Sequence, residues 1–278
     1  MLDVGCWVLD VSPSSAPMIE EPYRWVEAIA NRREYIEHQL ATGSPIVALG
    51  YADGILMFTL SRERQKIFEI YDRIALGGIG HPGDIERLRM AAIELCSTEG
   101  FARSAHDVSL RRLANYSLSP ALKAAFEQVY GAPYLARLLF AELGRGAAPN
   151  LFLRLDYDGS INTNGGAFVR AFEEFGAIAG TRASGALMEK FIRSQHIGNM
   201  PLNAALNVAC DAWSVGHLAL GGEAGDALPA PEAIAAHRAE NLAATSIEAA
   251  VLERASSLPM AWRALPDAEV RPILSSIA

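Results

Sequence analysis

The 278-residue chain predicts an α+β fold in which two antiparallel sheets lie between pairs of helices. Two observations carry this. Hairpin signals occur in consecutive pairs, which an all-parallel, doubly wound sheet cannot accommodate. The strands are apolar at nearly every position, so both faces of each sheet must be covered. Composition agrees: 51% hydrophobic and 20% charged residues describe a folded chain with a large core.

The elements follow in order. Residues 1–21 carry Pro13, Pro17 and several serines, and read as a tail or loop. Pro22 opens a helix, where its missing N–H costs nothing. Trp25, Val26, Ile29, Ile36 and Leu40 share one face, and Gly43 ends the helix. The run "PIVALGYADGILMFTL" (45–60) is a hairpin turning at Ala52-Asp53-Gly54, and "KIFEIYDRIALGGIG" is a second, turning near Tyr71-Asp72-Arg73. Helical spacing returns over 84–99, with Ile85, Leu88, Ala92, Leu95 and Cys96 in one stripe. Asp107 is a candidate cap for a helix across about 108–128, which Pro120 breaks or kinks.

Strands resume with "YLARLLFAELG" (134–144) and "LFLRLDYDGSI" (151–161), the latter holding an Asp158-Gly159 turn signal. "GAIAG" (176–180) is a short buried strand. Helices are predicted at about 184–195, 201–218 and 232–243. A linker-like "GGEAGDALPAP" (221–231) precedes the last of these, and "SIEAAVLER" (246–254) is a strand. Residues 266–278, with Pro266 and Pro272, read as a flexible C-terminal tail.

The net charge of −8 argues against a nucleic-acid partner, whose phosphates call for a basic surface. No apolar run approaches the ~20 residues of a membrane span. The N-terminus lacks the pattern of a signal peptide. A cytoplasmic protein with no membrane partner is therefore expected. Cys6, Cys96 and Cys210 are too few and scattered for a disulfide framework or zinc cage, and are expected to be free thiols. The histidines His38, His81, His106, His196, His217 and His237 show no HxxxH or HxH pairing, so no metal or cofactor is expected and each ring takes a surface or capping role. "GGIGHPGD" (77–84) lacks the spacing of a phosphate-binding loop.

One segment bears on catalysis. In "TGSPIVALGY" (42–51), Ser44 follows a glycine at the start of the first strand. An N-terminal-nucleophile hydrolase cuts itself after such a glycine; the freed α-amine then serves as base for the hydroxyl. Lys66 could be the accompanying lysine. The expected aspartate after the second strand is absent from "FTLSRER", and the helix ahead of Ser44 is too well formed to be discarded.

"GSPIVALGYADGILMF" followed by "QKIFEIYDRIALGGIGHPGDIERLRMAAIE" resembles the α subunit of the proteasome core particle, the bacterial form most of all. "SLRRLANYS" (109–117), "YLARLLFAELG", "LFLRLDYDGSI", "GAIAGT" (176–181) and "SIEAAVLER" continue the resemblance in order. It covers about residues 20–220 and 246–265.

The resemblance implies a four-layer αββα sandwich over residues 22–265, with 22–41 as a retained leading helix. It implies a homo-heptameric ring that caps a proteasome β subunit ring, gates substrate entry, docks an AAA ATPase or other ring activator, and cleaves nothing itself. Lys66, in the "QKI" position, and Gly80 fall where the family binds the C-terminal carboxylate of an activator tail, and such a pairing is chemically apt. Met1, Leu2, Asp3 and Val4 would belong to the gate by position only. Two departures stand out. The Tyr-Asp-Arg triplet near the N-terminus of archaeal and eukaryotic α subunits is missing, Tyr71-Asp72-Arg73 lying in a hairpin instead. The segment 221–245 is longer than usual, and no role is assigned to it. The alternative is a self-processing peptidase or amidohydrolase using Ser44.

Overall fold

The computed structural model describes residues 22–275 apart from 63, 129–130, 164–173, 196, 198, 222–226 and 256–259. The expected gate residues Met1, Leu2, Asp3 and Val4, and also Cys6 and His196, lie outside the described residues. The chain divides into two compact units, residues 1–35 and 36–278. The described part of the first is helical, and its Val26 and Tyr35 are exposed. Everything that follows in this subsection concerns the second unit, apart from the helix α1 (Pro22–Leu40) that opens the fold.

The two predicted hairpins form as β1 (Ile46–Tyr51) with β2 (Gly54–Ser61), and β3 (Ile67–Tyr71) with β4 (Ile74–Gly80). They belong to different sheets. One sheet has the order β10-β9-β2-β1-β8, the other β3-β4-β5-β6-β7, and every neighbouring pair is antiparallel. The later strands are β5 (Ala136–Glu142), β6 (Leu151–Leu155), β7 (Ile161–Thr163), β8 (Phe175–Ile178), β9 (Ser246–Glu253) and β10 (Trp262–Leu265).

Burial on both faces has a direct cause in the layers. Ile46, Ala48, Ile55 and Met57 of the first sheet meet Ala75, Ile79, Leu139 and Phe152 of the second in a core between them. The alternate residues Val47, Leu49, Leu56 and Phe58 point outward under α5 (Arg182–Ser194), α6 (Leu202–Leu220) and α7 (Pro231–Ala244). Leu76, Leu138, Phe140 and Leu153 of the second sheet are covered by α2 (Pro82–Ala102), α3 (Leu110–Leu113) and α4 (Ser119–Glu127). Helices on both outer faces and two sheets inside make the four layers that the sequence predicts.

Three local expectations need correction. Asp107 does not cap the helix after it. The N-cap is Ser109, without a side-chain bond, and the free Leu110 N–H donates instead to Glu142 Oε2 (3.2 Å) on β5. The predicted helix 108–128 is interrupted by a π turn, Ala114–Leu118, in which Ser119 N–H donates to Ala114 O five residues back. Pro120 then sits in the first turn of α4, where it needs no partner for the N–H it lacks.

The third correction concerns residues 266–278. Asp267–Ser275 form a helix, α8, whose Val270 and Leu274 are fully buried in the core under the first sheet. Pro266 accepts the first helical bonds through its carbonyl and so starts the helix, while Pro272 lies within it. The strand β10 just before it also escapes the sequence pattern, being only four residues long with Arg263 inside it and Pro266 directly after it.

Candidate functional site

The start of β1, the start of β3 and the end of β4 open together onto a groove of about 830 Å³. Its walls include Gly43, Ser44, Lys66, Gly80 and Glu86, and on the far side Trp213, His217, Asn241 and Thr245. The two predicted tail-binding residues, Lys66 and Gly80, thus face one cavity, as does Ser44. Arg62 and Arg64, both exposed, stand on the same wall.

Lys66 is placed by its backbone. Its N–H donates to both carboxylate oxygens of Glu248 (2.9 and 3.0 Å), and Ile67 N–H donates to Glu248 Oε1 (2.7 Å). Burial raises the Glu248 carboxyl above its ordinary range, against the pull of those bonds and of Lys66. The Lys66 side chain is half-buried, and among the described residues Nζ makes one hydrogen bond, 3.4 Å to Ser44 O. Desolvation lowers its pKa, offset in part by Glu248. An ammonium with three donors and one long hydrogen bond has capacity to hold an anion.

Gly80 closes the opposite edge. Its φ of +134° is open to glycine, and a Cβ there would lie 2.0 Å from Leu135 O. Backbone approach this close leaves the mouth of the groove free of a side chain.

Ser44 is held as a structural residue. Its Oγ donates to Leu60 O (2.9 Å). Thr59, within the stretch that lacks an aspartate, donates its hydroxyl to Pro45 O (2.6 Å). Gly43 N–H donates to Leu40 O (2.8 Å), and Gly43 O accepts from Gly180 N–H (3.1 Å). A Cβ on Gly43 would meet Ile79 Cγ2 at 2.1 Å, so the Gly43-Ser44 peptide is wedged between β4 and the loop after β8.

A second constellation fixes the last turn of α1 to the sheets. Arg137, 6% exposed, donates to Glu37 (3.0 and 3.2 Å), to Asp156 Oδ1 (3.2 Å) and to the carbonyls of Ala179 and Gly180. Tyr157 Oη donates to Glu37 Oε1 (2.8 Å), and Arg182 Nε donates to the same oxygen (3.1 Å). Burial works against the Glu37 charge, but Arg137, Tyr157 and Arg182 outweigh it and hold the carboxyl below its ordinary pKa.

The histidine reading also changes. His217 and His237, twenty residues apart and on different helices, are in direct contact, Nδ1 to Nε2, at 3.0 Å. No local motif signals this pair. Helical phasing on α6, which places His217 one turn after Trp213, was the available clue. Among the described residues no group of three or more His, Cys, Asp or Glu could hold a metal.

With this geometry in view, comparison with known proteins identifies the lineage. The profile of the family described as Proteasome subunit matches residues 40–169. A "Proteasome subunit alpha" from Parafrankia sp. is 34% identical over 192 residues, covering 68% of this chain and 74% of that one. The chain belongs to the bacterial proteasome alpha-subunit family. The relative from Actinosynnema mirum is 32% identical over 230 residues, 82% of this chain and 77% of its own length. That from Nocardioides sp. is 29% identical over 250 residues, 89% of this chain and 86% of that one. Among the described residues no helix is long and apolar enough to cross a membrane.

Proposed function

We propose that this alpha-type subunit forms the outer seven-membered ring of a proteasome core particle in the cytoplasm. The ring gates substrate entry through residues 1–21, docks an AAA ATPase or other ring activator, and templates the catalytic β ring for ATP-dependent protein degradation. The chain itself cleaves nothing. Lys66 holds the terminal carboxylate of an activator tail in the 830 Å³ groove, and the side-chain-free backbone at Gly80 lets the tail approach.

The observation that carries this reading is the condition of the segment ahead of Ser44. A disposable leader would be loosely attached. Here its last turn is bound through Glu37 to the buried Arg137, and Gly43 is wedged against Ile79. With the Gly43-Ser44 peptide intact, Ser44 has no α-amine to act as base, and its hydroxyl is engaged with Leu60 O.

Two experiments test the reading. The mass of the purified chain should equal that of the full sequence; a species starting at Ser44 that hydrolyses peptides unaided would establish the N-terminal-nucleophile alternative. Particles assembled with the partner β subunit should then respond to the activating ATPase. Lys66→Ala should abolish that stimulation while ring assembly is retained, and undiminished stimulation rejects the role of Lys66.

A further inference from the structure

The far wall of the groove contains two histidines in contact, His217 and His237. It is built from α6 and from α7, the helix supplied by the segment 221–245. Asn241 Nδ2 donates to the His237 carbonyl (2.9 Å), which fixes the orientation of the amide. The same nitrogen faces His237 Nε2 at 3.1 Å, so Nε2 must be unprotonated and accept. It follows that His217 Nδ1 carries the hydrogen and donates to His237 Nε2 across 3.0 Å. His237 keeps its own hydrogen on Nδ1, which is buried without a partner.

These tautomers decide where a further proton goes. On His237 it would occupy Nε2 and face two donors. On His217 it occupies Nε2, the nitrogen that the network leaves unused, while the Nδ1–H bond to His237 is strengthened by the charge. The indole of Trp213 lies stacked on the His217 ring at 4.7 Å and 15°, a good seat for an imidazolium. His217, unlike His237, lines the groove.

We propose that His217 is a protonatable member of the anion-binding groove, adding one more positive charge to those of Lys66, Arg62 and Arg64 when it takes up a proton and so tightening the hold on a carboxylate-terminated peptide. The inference rests on the reading of Lys66 as a carboxylate-binding residue. His237, Asn241 and Trp213 are positioning residues for it.

The surrounding charges set the sign. Burial, His237, Arg62 and Lys66 all lower the His217 pKa, and His237 is lowered by burial against the opposing Glu240. Glu86 from α2 and Glu248 from β9 border the same region. An empty groove therefore leaves His217 neutral at pH 7. A bound carboxylate raises its pKa, so affinity is greatest below the free-groove pKa and falls as pH rises through the bound-state value. Each unit of that rise yields about tenfold in affinity.

The test uses assembled rings of the full chain and a tetramethylrhodamine-labelled pentapeptide, Ala-Ala-Leu-Ala-Ala, as free acid and as C-terminal amide. Anisotropy is followed from pH 8 to pH 5.5. The acid form should bind the wild type about tenfold tighter at the low end, and the amide should not respond to pH. His217→Gln should stay at the weak, high-pH affinity throughout, and His217→Lys should bind tightly at every pH. A His217→Gln ring that keeps the full pH response overturns the inference and leaves the Lys66 reading intact. Equal binding of acid and amide by the wild type, or unchanged binding by Lys66→Ala, overturns both. Indole fluorescence gives a readout without peptide: quenching as pH falls should be present in the wild type and missing in His217→Gln, and its absence from the wild type also overturns the inference.

Discussion

Gly80 and Lys66 illustrate how single residues shape the groove by opposite means. Lys66 brings a cation whose backbone is clamped by Glu248, whereas Gly80 contributes by lacking a side chain. Its φ of +134° combined with a 2.0 Å approach to Leu135 O means that alanine cannot be accommodated without moving β4 or β5. Gly80→Ala should therefore lower stability by about 2–4 kcal/mol, read as a fall in melting temperature. A neutral result would show that the chain relaxes easily there. Cys96 and Cys210 are residue-scale counterexamples. Both are buried and free, and burial pushes each thiol up to about 12, so neither is a candidate nucleophile.

At the scale of elements, the two ends of the fold are secured by arginines buried among acceptors. Glu37 on α1 has its pKa held low by Arg137, Tyr157 and Arg182 despite burial. A depressed carboxyl stabilises the folded state above its unfolded pKa, and that stability is lost as pH falls through the folded value. Glu37→Gln should cost about 1–2 kcal/mol at pH 7, discounted for its partial exposure, with the deficit shrinking in denaturant titrations as pH falls below the ordinary glutamate range and through the depressed folded-state value. At the other end, Arg238 donates to Asp211, Asn207 and Leu274 O, tying α7 to α6 and α8. Ending the chain at Leu265 should strip Val270 and Leu274 from the core and cost about 3–6 kcal/mol. A dispensable tail would leave the melting temperature unchanged.

These helices also show what the sequence could and could not disclose. The hairpins were readable because Asp53-Gly54 and the apolar runs act locally, and the four layers followed from strands covered on both faces. The helix α8 is obscured in the sequence because Pro266 and Pro272 are poor helix formers, although proline is harmless at a helix start and its cost at Pro272 is outweighed by the burial of Val270 and Leu274. Lys66 and Gly80 were found through resemblance to a family. The Arg137–Glu37 and His217–His237 contacts span 100 and 20 residues, and no local periodicity encodes partners that only the fold brings together.

For the whole molecule, the deciding question is how a subunit with two fully covered sheets still builds an assembly. Because the inner sheets offer no free apolar face, the helices supply the exposed apolar surface. Val26 and Tyr35 on the leading helix are 67% and 56% exposed, apolar surface that a neighbouring subunit could cover. In the ring proposed above, each copy would present the same patch to its neighbour, and a charge introduced there would be repeated at every interface. Val26→Asp combined with Tyr35→Asp should therefore collapse the ring cooperatively. Seven copies of a 29.9 kDa chain amount to about 209 kDa. Mass photometry should show that species for the wild type and a monomer near 30 kDa for the double variant, whose circular dichroism is unchanged and whose folding stability stays within about 0.5 kcal/mol of wild type because the substituted sites are on the surface. A double variant that still assembles at full size would place the ring contact elsewhere on the subunit.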